Sequence, residues 1–396
     1  MSARARLWRE AATVLLAAGG ASGGGSASPS SPSARRFDYQ VLLLRRSPRS
    51  AFLPSAHVFP GGVADAADFS PEWWALLPGP APLCGLGPRR GPKAPLFAAE
   101  RPELGPALPG DVAFRLCAIR ETFEEAGLLL VTERDQAEAA IAASSSSEGF
   151  TPRLLPPEQL PLTGPELAEW RRKVQRQPGV FLALCRRLGL VPNIWALREW
   201  SNWLTPRALA GKGGRRYDTA FFLCCLAHAP PPHPPHGAHE QDGEVTACQW
   251  SSPLEAFELF KSQDIWIAPP QFYELCRLCN FSTLHDLHTF GSERALEGCE
   301  RWMPVVLVAS DGQIHILPGD ELYPEDPDLT GERKPTLTSN KKIEELMKGV
   351  KKLHRMVLRG PHNITVYANI QQKYKHINPQ HMDSKNGNSA DCNSRL

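Results

Sequence analysis

Short apolar segments bounded by polar or turn-forming residues recur along the chain, and they predict β-strands. Segments of this kind, rich in Val, Leu, Phe or Tyr, are typical of strands buried in a sheet. They cover residues 11–18, 39–45, 128–131, 217–227, 244–250, 305–309 and 313–317. The last two flank Ser310, Asp311 and Gly312, a combination typical of the tight turn of a β-hairpin.

Apolar residues at a spacing of three or four predict helices between these strands. Ala113, Leu116, Ile119 and Phe123 share one face of a helix that is predicted to begin at residue 112, with Asp111 as its N-cap. Further helices are predicted over residues 165–176, 179–188, 293–300 and 339–355, and others begin at 253 and 271. The basic face of residues 339–355 suits a packed surface helix, which is preferred to a helix at a membrane surface.

Stretches rich in proline, glycine and serine predict loops over residues 19–34, 78–109, 144–165 and 228–239. Histidines within 228–239 raise the possibility of a metal site, but the intervening prolines disfavour a compact cage of ligands. Cys276 and Cys279 form a CxxC pair, and the irregular spacing of the neighbouring histidines and Cys299 disfavours a zinc site.

Composition narrows the class of protein. The chain has 396 residues, of which 42% are hydrophobic and 22% charged, a balance typical of globular proteins. A net charge of +2 gives no basic field, so no nucleic-acid partner is expected. The apolar runs are shorter than the roughly 18 residues that span a bilayer, so no membrane span is expected. The ten scattered cysteines indicate reduced thiols. The expected oligomeric state is a monomer.

Three glutamates form the strongest chemical signal in the chain. Glu121, Glu124 and Glu125 are spaced at i, i+3 and i+4, which places them on neighbouring parts of one helix face. Such like charges repel one another, and a divalent cation relieves this repulsion because hard cations bind carboxylate oxygens. Arg120 is positioned to brace one carboxylate, and Gly127 is predicted to end the helix. A solvated acidic face is the ordinary alternative.

The order of residue types around these glutamates resembles the second half of the Nudix box, the signature of the Nudix hydrolases. Gly62, followed after five residues by Asp68, resembles the first half of that box, with Asp in place of the family's Glu. Fifty-one residues, 69–119, separate Asp68 from Arg120, far more than in the family. The surplus predicts an irregular surface insertion at about residues 69–112, before the acidic helix.

A second resemblance concerns the substrate. Residues 42–47 (Leu-Leu-Leu-Arg-Arg-Ser), followed by Phe59, Pro60, Gly61 and Gly62, resemble the signature upstream of the box in coenzyme A diphosphatases. The family arginine and glycine between these ends are replaced by Ala51 and Ser55, and Arg49 is a candidate substitute for that arginine.

These resemblances imply a fold and a reaction. The implied fold is α/β (α+β), a mixed β-sheet sandwiched between helices, with a long insertion in the box and a C-terminal extension. The implied reaction is metal-dependent hydrolysis of the diphosphate of coenzyme A (CoA) and acyl-CoA, giving 3′,5′-ADP and 4′-(acyl)phosphopantetheine.

The resemblance also assigns roles to individual residues. Arg120, Glu121, Glu124 and Glu125 are the expected catalytic residues, and the three glutamates are expected to hold Mg²⁺ or Mn²⁺. Candidate substrate-binding residues are Arg45, Arg46, Arg49, Phe59, Gly61 and Gly62. The arginines suit the 3′-phosphate, and backbone amides near the glycines suit the diphosphate. Glu244 is a candidate general base, with Glu240 as a second candidate.

Two alternatives to CoA hydrolysis stay open at this stage. One is a Nudix pyrophosphatase that acts on NADH, ADP-ribose or capped RNA. The other is a catalytically silent Nudix-like binding module, an alternative supported by Asp68 and the insertion. The three intact glutamates of the second half-box favour an enzyme.

The sequence also predicts domains and a cellular address. A Nudix domain is expected over residues 8–265, a C-terminal extension over 266–382 and a mobile tail over 383–396. Ser394, Arg395 and Leu396 resemble the peroxisomal targeting tripeptide, so a peroxisomal import receptor is an expected partner. The arginines near the N-terminus leave a mitochondrial transit peptide as the alternative.

Overall fold

A mixed β-sheet lies at the centre of the structure. The computed structural model describes residues 7–19, 36–50, 52–79, 86, 89–143, 153–210, 214–226, 244–330 and 336–382. In chain order the strands are β1 (Arg9–Gly19), β2 (Tyr39–Arg46), β3 (Ala56–Val58), β4 (Gly61–Val63), β5 (Val131–Thr132), β6 (Val191–Pro192), β7 (Arg198–Leu204), β8 (Tyr217–Leu226), β9 (Val245–Ser251), β10 (Trp266–Ile267), β11 (Arg301–Trp302), β12 (Val305–Ala309), β13 (Gly312–Ile316), β14 (Thr336–Thr338), β15 (His354–Gly360) and β16 (Asn363–Ala368).

Within these described residues, nine strands form the main sheet in the order β10-β3-β2-β1-β8-β7-β11, with β4 paired to β1 and β9 paired to β2. The long central pair β1 and β8 is parallel, whereas β2 runs antiparallel to β1. A second sheet has the order β14-β12-β13-β15-β16. The predicted hairpin is present in it as β12 and β13.

Helices cover both faces of the main sheet. They include α1 (Pro95–Ala98), α2 (Gly110–Ala126), α3 (Arg134–Ala143), α4 (Gly164–Arg176), α5 (Val180–Leu188), α6 (Pro253–Lys261), α7 (Pro269–Leu278) and α8 (Leu284–Arg294), whereas the short helix α9 (Ile343–Met347) packs with the second sheet. Successive residues of a strand point to opposite faces. Val14 and Leu16 of β1 therefore pack in the core that contains α2 and α5, whereas Leu15 and Ala17 pack in the core that contains α6 and α7. This arrangement is the predicted sheet between helices.

Several predicted boundaries are wrong, each for an identifiable reason. Helix α2 begins at Gly110 with Pro109 at the N-cap, so Asp111 lies in the first turn. A Cβ on Gly110 would lie 2.6 Å from the carbonyl oxygen of Phe97, so the first turn packs directly on the insertion. In the predicted strand 128–131, β-pairing is confined to Val131 and the following residue, although residues 128–130 are buried.

Two helices predicted in the C-terminal region are also wrong. Helix α8 begins after Thr283, whose side chain caps it, so most of the predicted segment 293–300 follows the helix. Residues 339–355 contain only the short helix α9, and the chain then enters β15 at His354. Arg355 is fully buried against Asp320, with a 2.7 Å bond from its Nε to Oδ2. Tertiary pairing therefore overrides the local helical pattern.

The insertion contributes to the core, which corrects the prediction of an irregular surface excursion. Trp73 is 2% exposed, and its ring lies 5.9 Å from that of Phe181. Phe97 stacks on Phe222 of β8 at 6.0 Å, with an angle of 7° between the rings. The insertion thus packs against both the box-side helices and the main sheet.

The C-terminal extension is attached to the main sheet by a buried carboxylate. Glu274 of α7 is fully buried and accepts hydrogen bonds from Trp200 Nε1 at 2.7 Å, Ser201 Oγ at 2.7 Å and Trp203 Nε1 at 2.8 Å. Arg277, one turn further along α7, is its ionic partner at 3.3 Å. β10 and β11 also join the main sheet. The domain boundary at residue 265 stays a prediction, and this sheet continues beyond it.

None of the helices in the described part of the chain is long and apolar enough to cross a membrane.

Candidate active site

A buried ion pair joins the two halves of the split box. Arg120 of α2 donates from Nε to Asp68 Oδ1 and from Nη2 to Asp68 Oδ2, both at 2.8 Å. The two side chains are each about 2% exposed. Asp68 Oδ2 also accepts from the backbone amide of Asp65 at 2.9 Å, which fixes the short helical turn that carries Asp68. Asp in place of the family's Glu therefore still reaches the arginine.

The same guanidinium holds two of the three glutamates. Arg120 Nη1 donates to Glu121 Oε1 at 2.8 Å and to Glu124 Oε1 at 2.6 Å. Charge-assisted hydrogen bonds of this kind are stronger than those between neutral groups. Arg120 thus orients carboxylates that otherwise repel one another. Gly127 ends α2 in a left-handed conformation with φ of 71°, and its amide donates to the carbonyl oxygen of Phe123.

The glycines of the box permit close approach of the other carboxylates. The amide of Gly61 donates to Glu125 Oε2 at 2.8 Å, so this amide is engaged by the protein and not available to a phosphate oxygen. A Cβ on Gly62 would lie 2.4 Å from Glu121 Oε2. Gly61 itself has a φ of 154°, and a Cβ there would lie 2.3 Å from the carbonyl oxygen of Ala12. Adjacent glycines therefore bring Glu121 and Glu125 against the same strand, β4.

Burial raises the pKa values of all three box glutamates. The pKa of Glu125 is raised to about 7, chiefly by burial, while the Gly61 hydrogen bond and Arg46 act in the opposite direction. Burial also raises the pKa of Glu121 well above its ordinary value, against the lowering effect of Arg120. Burial likewise raises the pKa of Glu124 above its ordinary value, although Arg120 acts in the opposite direction. These carboxylates favour an added positive charge.

Two side chains of α4 that belong to no sequence motif hold the end of the acidic helix. Arg171 donates from Nε to the carbonyl oxygen of Glu124 and from Nη2 to that of Glu125, both at 2.8 Å. Gln175 Nε2 also donates to the Glu124 carbonyl at 2.8 Å. The last carbonyls of a helix lack partners within it, so these donors satisfy them. No short-range pattern connects residue 171 with residue 124.

The box opens into a cavity of about 1000 Å³. Its lining includes the predicted residues Arg46, Arg49, Phe59, Gly61, Gly62, Arg120, Glu121, Glu124, Glu125 and Glu244, together with Arg171 and Gln175. Arg45 is exposed and is not among the lining residues, because neighbouring residues of a strand point to opposite faces. Asp68 does not line the cavity, but it holds the side chain of Arg120, which does.

Within the cavity, the structure brings the predicted base and one predicted arginine near the glutamates. The charge of Glu244 contributes to the raised pKa of Glu125, after the larger effect of burial. The guanidinium of Arg46 is held by Ser50 Oγ at 2.8 Å and by the carbonyl oxygen of Phe52 at 3.1 Å. Glu240 and the targeting residues Ser394, Arg395 and Leu396 lie outside the described residues.

The donor set suits a hard divalent cation. Glu121, Glu124 and Glu125 supply six carboxylate oxygens, the ligand type that Mg²⁺ and Mn²⁺ prefer. As positioned in the described part of the chain, no group of three or more His, Cys, Asp or Glu side chains converges to hold a metal ion. Arg120 and the Gly61 amide engage these oxygens instead. The raised pKa values indicate that the cluster lacks compensating charge.

The sheet between helices and the box joined by Arg120 and Asp68 define a Nudix hydrolase. The chain belongs to this family, since the family model described as NUDT19 Nudix domain matches residues 8–278. A second model, described as NUDT19 C-terminal domain, matches residues 306–369. The predicted family and fold are thus confirmed. Nudix hydrolases generally use divalent metals.

The chain is also similar over its whole length to curated proteins. It is 58% identical to a protein of Gallus gallus named acyl-coenzyme A diphosphatase NUDT19, over 100% of both chains. Proteins of the same name are 43% identical in Xenopus laevis, over 98% of this chain and 100% of the relative, and 45% identical in Homo sapiens, over 94% and 95%.

The buried ion pair of the box generates a stability prediction. In Asp68→Asn, either orientation of the amide turns its NH2 group toward a donor, because both oxygens of Asp68 accept hydrogen bonds. Arg120 also loses its buried counter-charge, which costs about 3 kcal/mol or more. We expect a lower midpoint of urea unfolding, followed by tryptophan fluorescence.

The matched control is Asp65→Asn, since the Asp65 side chain caps its own turn by accepting from backbone amides, that of Ala67 at 2.8 Å among them, and an amide oxygen can replace that acceptor. Equal midpoints for the two variants would show that the ion pair does not hold the halves of the box together.

Proposed function

We propose that the chain hydrolyses the diphosphate linkage of CoA and acyl-CoA esters, releasing 3′,5′-ADP and 4′-(acyl)phosphopantetheine. The observation that carries this proposal is the cavity in which the box glutamates meet Arg46 and Arg49. Hydrolysis of a diphosphate needs neutralised charge at the bond that breaks, and the planar fork of an arginine matches the geometry of a 3′-phosphate. Full-length similarity to proteins named acyl-coenzyme A diphosphatase supports the same substrate.

The proposed cofactor is Mg²⁺ or Mn²⁺, held by Glu121 and Glu125 with assistance from Glu124. When bound, such a cation neutralises phosphate charge and lowers the pKa of a bound water molecule. Arg120 orients two of these carboxylates, and the Gly61 amide orients the third. Arg171 and Gln175 fix the backbone that carries them. The chain's own contribution is thus a preorganised set of ligands.

Glu244 is the proposed general base. Its side chain is exposed within the cavity and close enough to Glu125 to raise the pKa of that carboxyl group, after the larger effect of burial. The backbone carbonyl of Glu244 accepts from the Ser47 amide at 2.8 Å, which ties the start of β9 to the end of β2. A carboxylate in this position is suited to accept a proton from the attacking water.

Hydrolysis of a substrate panel tests the proposal. CoA, an acyl-CoA, NADH and ADP-ribose are incubated with and without Mg²⁺, and the products are separated by chromatography. We expect 3′,5′-ADP from CoA and from acyl-CoA, only with the cation. Faster turnover of NADH or ADP-ribose would assign the site to another diphosphate, and no turnover of any substrate would indicate a binding module.

Glu125→Gln tests the catalytic assignment in the same assay. The substitution keeps the size of the side chain but removes a charged ligand, so we expect kcat to fall about a hundredfold or more. The matched control is Glu138→Gln in α3, whose side chain is 57% exposed and pairs only with Arg134 in the contacts observed. Unchanged turnover in Glu125→Gln would refute the metal assignment.

The raised pKa of Glu125 generates a prediction about pH. Its ordinary pKa is 4.5 and its folded-state pKa is about 7, so the folded chain binds this proton more tightly than the unfolded chain. Without a cation, the contribution of Glu125 to the free energy of unfolding therefore falls as the pH rises from 4.5 to about 7. A cation competes with the proton. We therefore expect Mg²⁺ to raise the melting temperature more at about pH 8 than at about pH 5.5.

Two comparisons make this measurement specific. At the higher pH, Glu125→Gln should lose most of the increase in melting temperature that Mg²⁺ causes, whereas Glu138→Gln should retain this increase. An equal gain at both pH values in the unmodified chain would contradict binding at the buried glutamates.

We propose peroxisomal localisation on the basis of Ser394, Arg395 and Leu396, which resemble a targeting tripeptide. An N-terminal fluorescent fusion tests it, since this leaves the tripeptide free. We expect punctate signal that overlaps a peroxisomal marker and becomes diffuse when residues 394–396 are deleted. Unchanged puncta after the deletion would contradict recognition by a peroxisomal import receptor. Mitochondrial signal from the chain carrying a C-terminal fusion would instead favour an N-terminal transit peptide.

A further inference from the structure

The cavity continues from the box across one face of the main sheet. Trp203, Thr219 and Ala11 lie opposite one another on β7, β8 and β1, and Phe221 lies opposite Thr13. Side chains that lie opposite each other on adjacent strands share a face, and all five residues line the cavity. The sheet thus forms a largely apolar floor beyond the glutamates.

The C-terminal extension forms the wall above this floor. It contributes Pro269, Pro270 and Gln271 from the start of α7, Pro304 before β12, His315 from β13, and Met356 from β15. The lining residues from the described part of the extension include no Lys, Arg, Asp or Glu. Arg46 and Arg49, by contrast, line the part of the cavity contributed by β2 and the loop that follows it. Arg9 and Arg215 also line the cavity from the main-sheet side, so the uncharged region is the wall that the extension contributes.

Two buried polar atoms of this wall lack partners. His315 is 1% exposed, its Nδ1 has no hydrogen-bond partner, and its Nε2 lies 3.5 Å from Gln313 Oε1. Burial lowers the pKa of His315 to about 4, so the ring is neutral at physiological pH. Gln271 Oε1 is likewise buried without a partner. Unpaired buried polar atoms are costly, which favours a bound group that pairs with them.

We propose that the C-terminal extension binds the pantetheine and acyl arm of the substrate, with His315 and Gln271 hydrogen-bonding its amides or thioester carbonyl. This inference rests on the proposed function. The arm is long, uncharged and rich in amide groups, so it matches an apolar floor with a few neutral polar groups. The adenosine 3′,5′-diphosphate half carries phosphates and matches the arginines instead.

Product inhibition measures the binding of each half of the substrate by itself. His315→Leu removes the polar ring while keeping an apolar side chain in β13. We expect the inhibition constant of 4′-phosphopantetheine and the KM of acyl-CoA to rise about fivefold, the effect of one lost hydrogen bond. The inhibition constant of 3′,5′-ADP should stay unchanged. Gln271→Leu, on a partly exposed helical turn, should act in the same direction without altering a strand of the second sheet.

The controls address folding and chemistry. His285→Leu, an exposed histidine of α8 outside the cavity, should leave all constants unchanged. His315→Gln, which keeps a donor and an acceptor, should recover part of the affinity. A rise in the constant for 3′,5′-ADP, or no change for 4′-phosphopantetheine in either Leu variant, would overturn the inference. Failure of the unmodified chain to release 3′,5′-ADP from CoA would instead refute the proposed function.

Discussion

The buried contact between Arg120 and Asp68 is the constraint on which the site depends. The two residues are separated by an insertion that itself packs into the core, so chain continuity cannot hold the halves of the box together. A bidentate ion pair does so, with both side chains about 2% exposed. Because the same guanidinium also holds Glu121 and Glu124, the positions of the acidic side chains follow from the position of Asp68.

This arrangement holds three buried carboxylates at the site although their negative charges destabilise the fold. Burying carboxylates costs free energy, and the raised pKa values of Glu121, Glu124 and Glu125 reflect that cost. Arg120, Arg46 and the Gly61 amide offset it only in part. Arg171 adds a further restraint by holding the end of α2 from outside the box. The site is thus rigid in its backbone and short of positive charge, and a divalent cation fits both properties.

The parts of the fold that depend on local signals could be predicted from the sequence. Gly127 ends α2 as predicted, because a left-handed residue there favours glycine, and α6 begins at residue 253 as predicted, with Ser252 as its N-cap. The split box could also be recognised from the order of its residue types. The strand at His354 could not be predicted, since its pairing with β13 outweighs a helical pattern. Arg171 could not be found either, because only the folded chain brings α4 to the end of α2.

The C-terminal extension is connected to the cavity by a contact that no sequence motif marks. Glu274 of the extension accepts hydrogen bonds from Trp200, Ser201 and Trp203 of the main sheet, and Trp203 is also part of the cavity floor. A single buried carboxylate therefore connects the packing of the extension with the shape of the cavity. Because His315 and Met356 lie on strands of the second sheet, any shift of that sheet relative to the main sheet alters the wall and the floor together. The region beyond the box thus forms part of the cavity that the box glutamates also line.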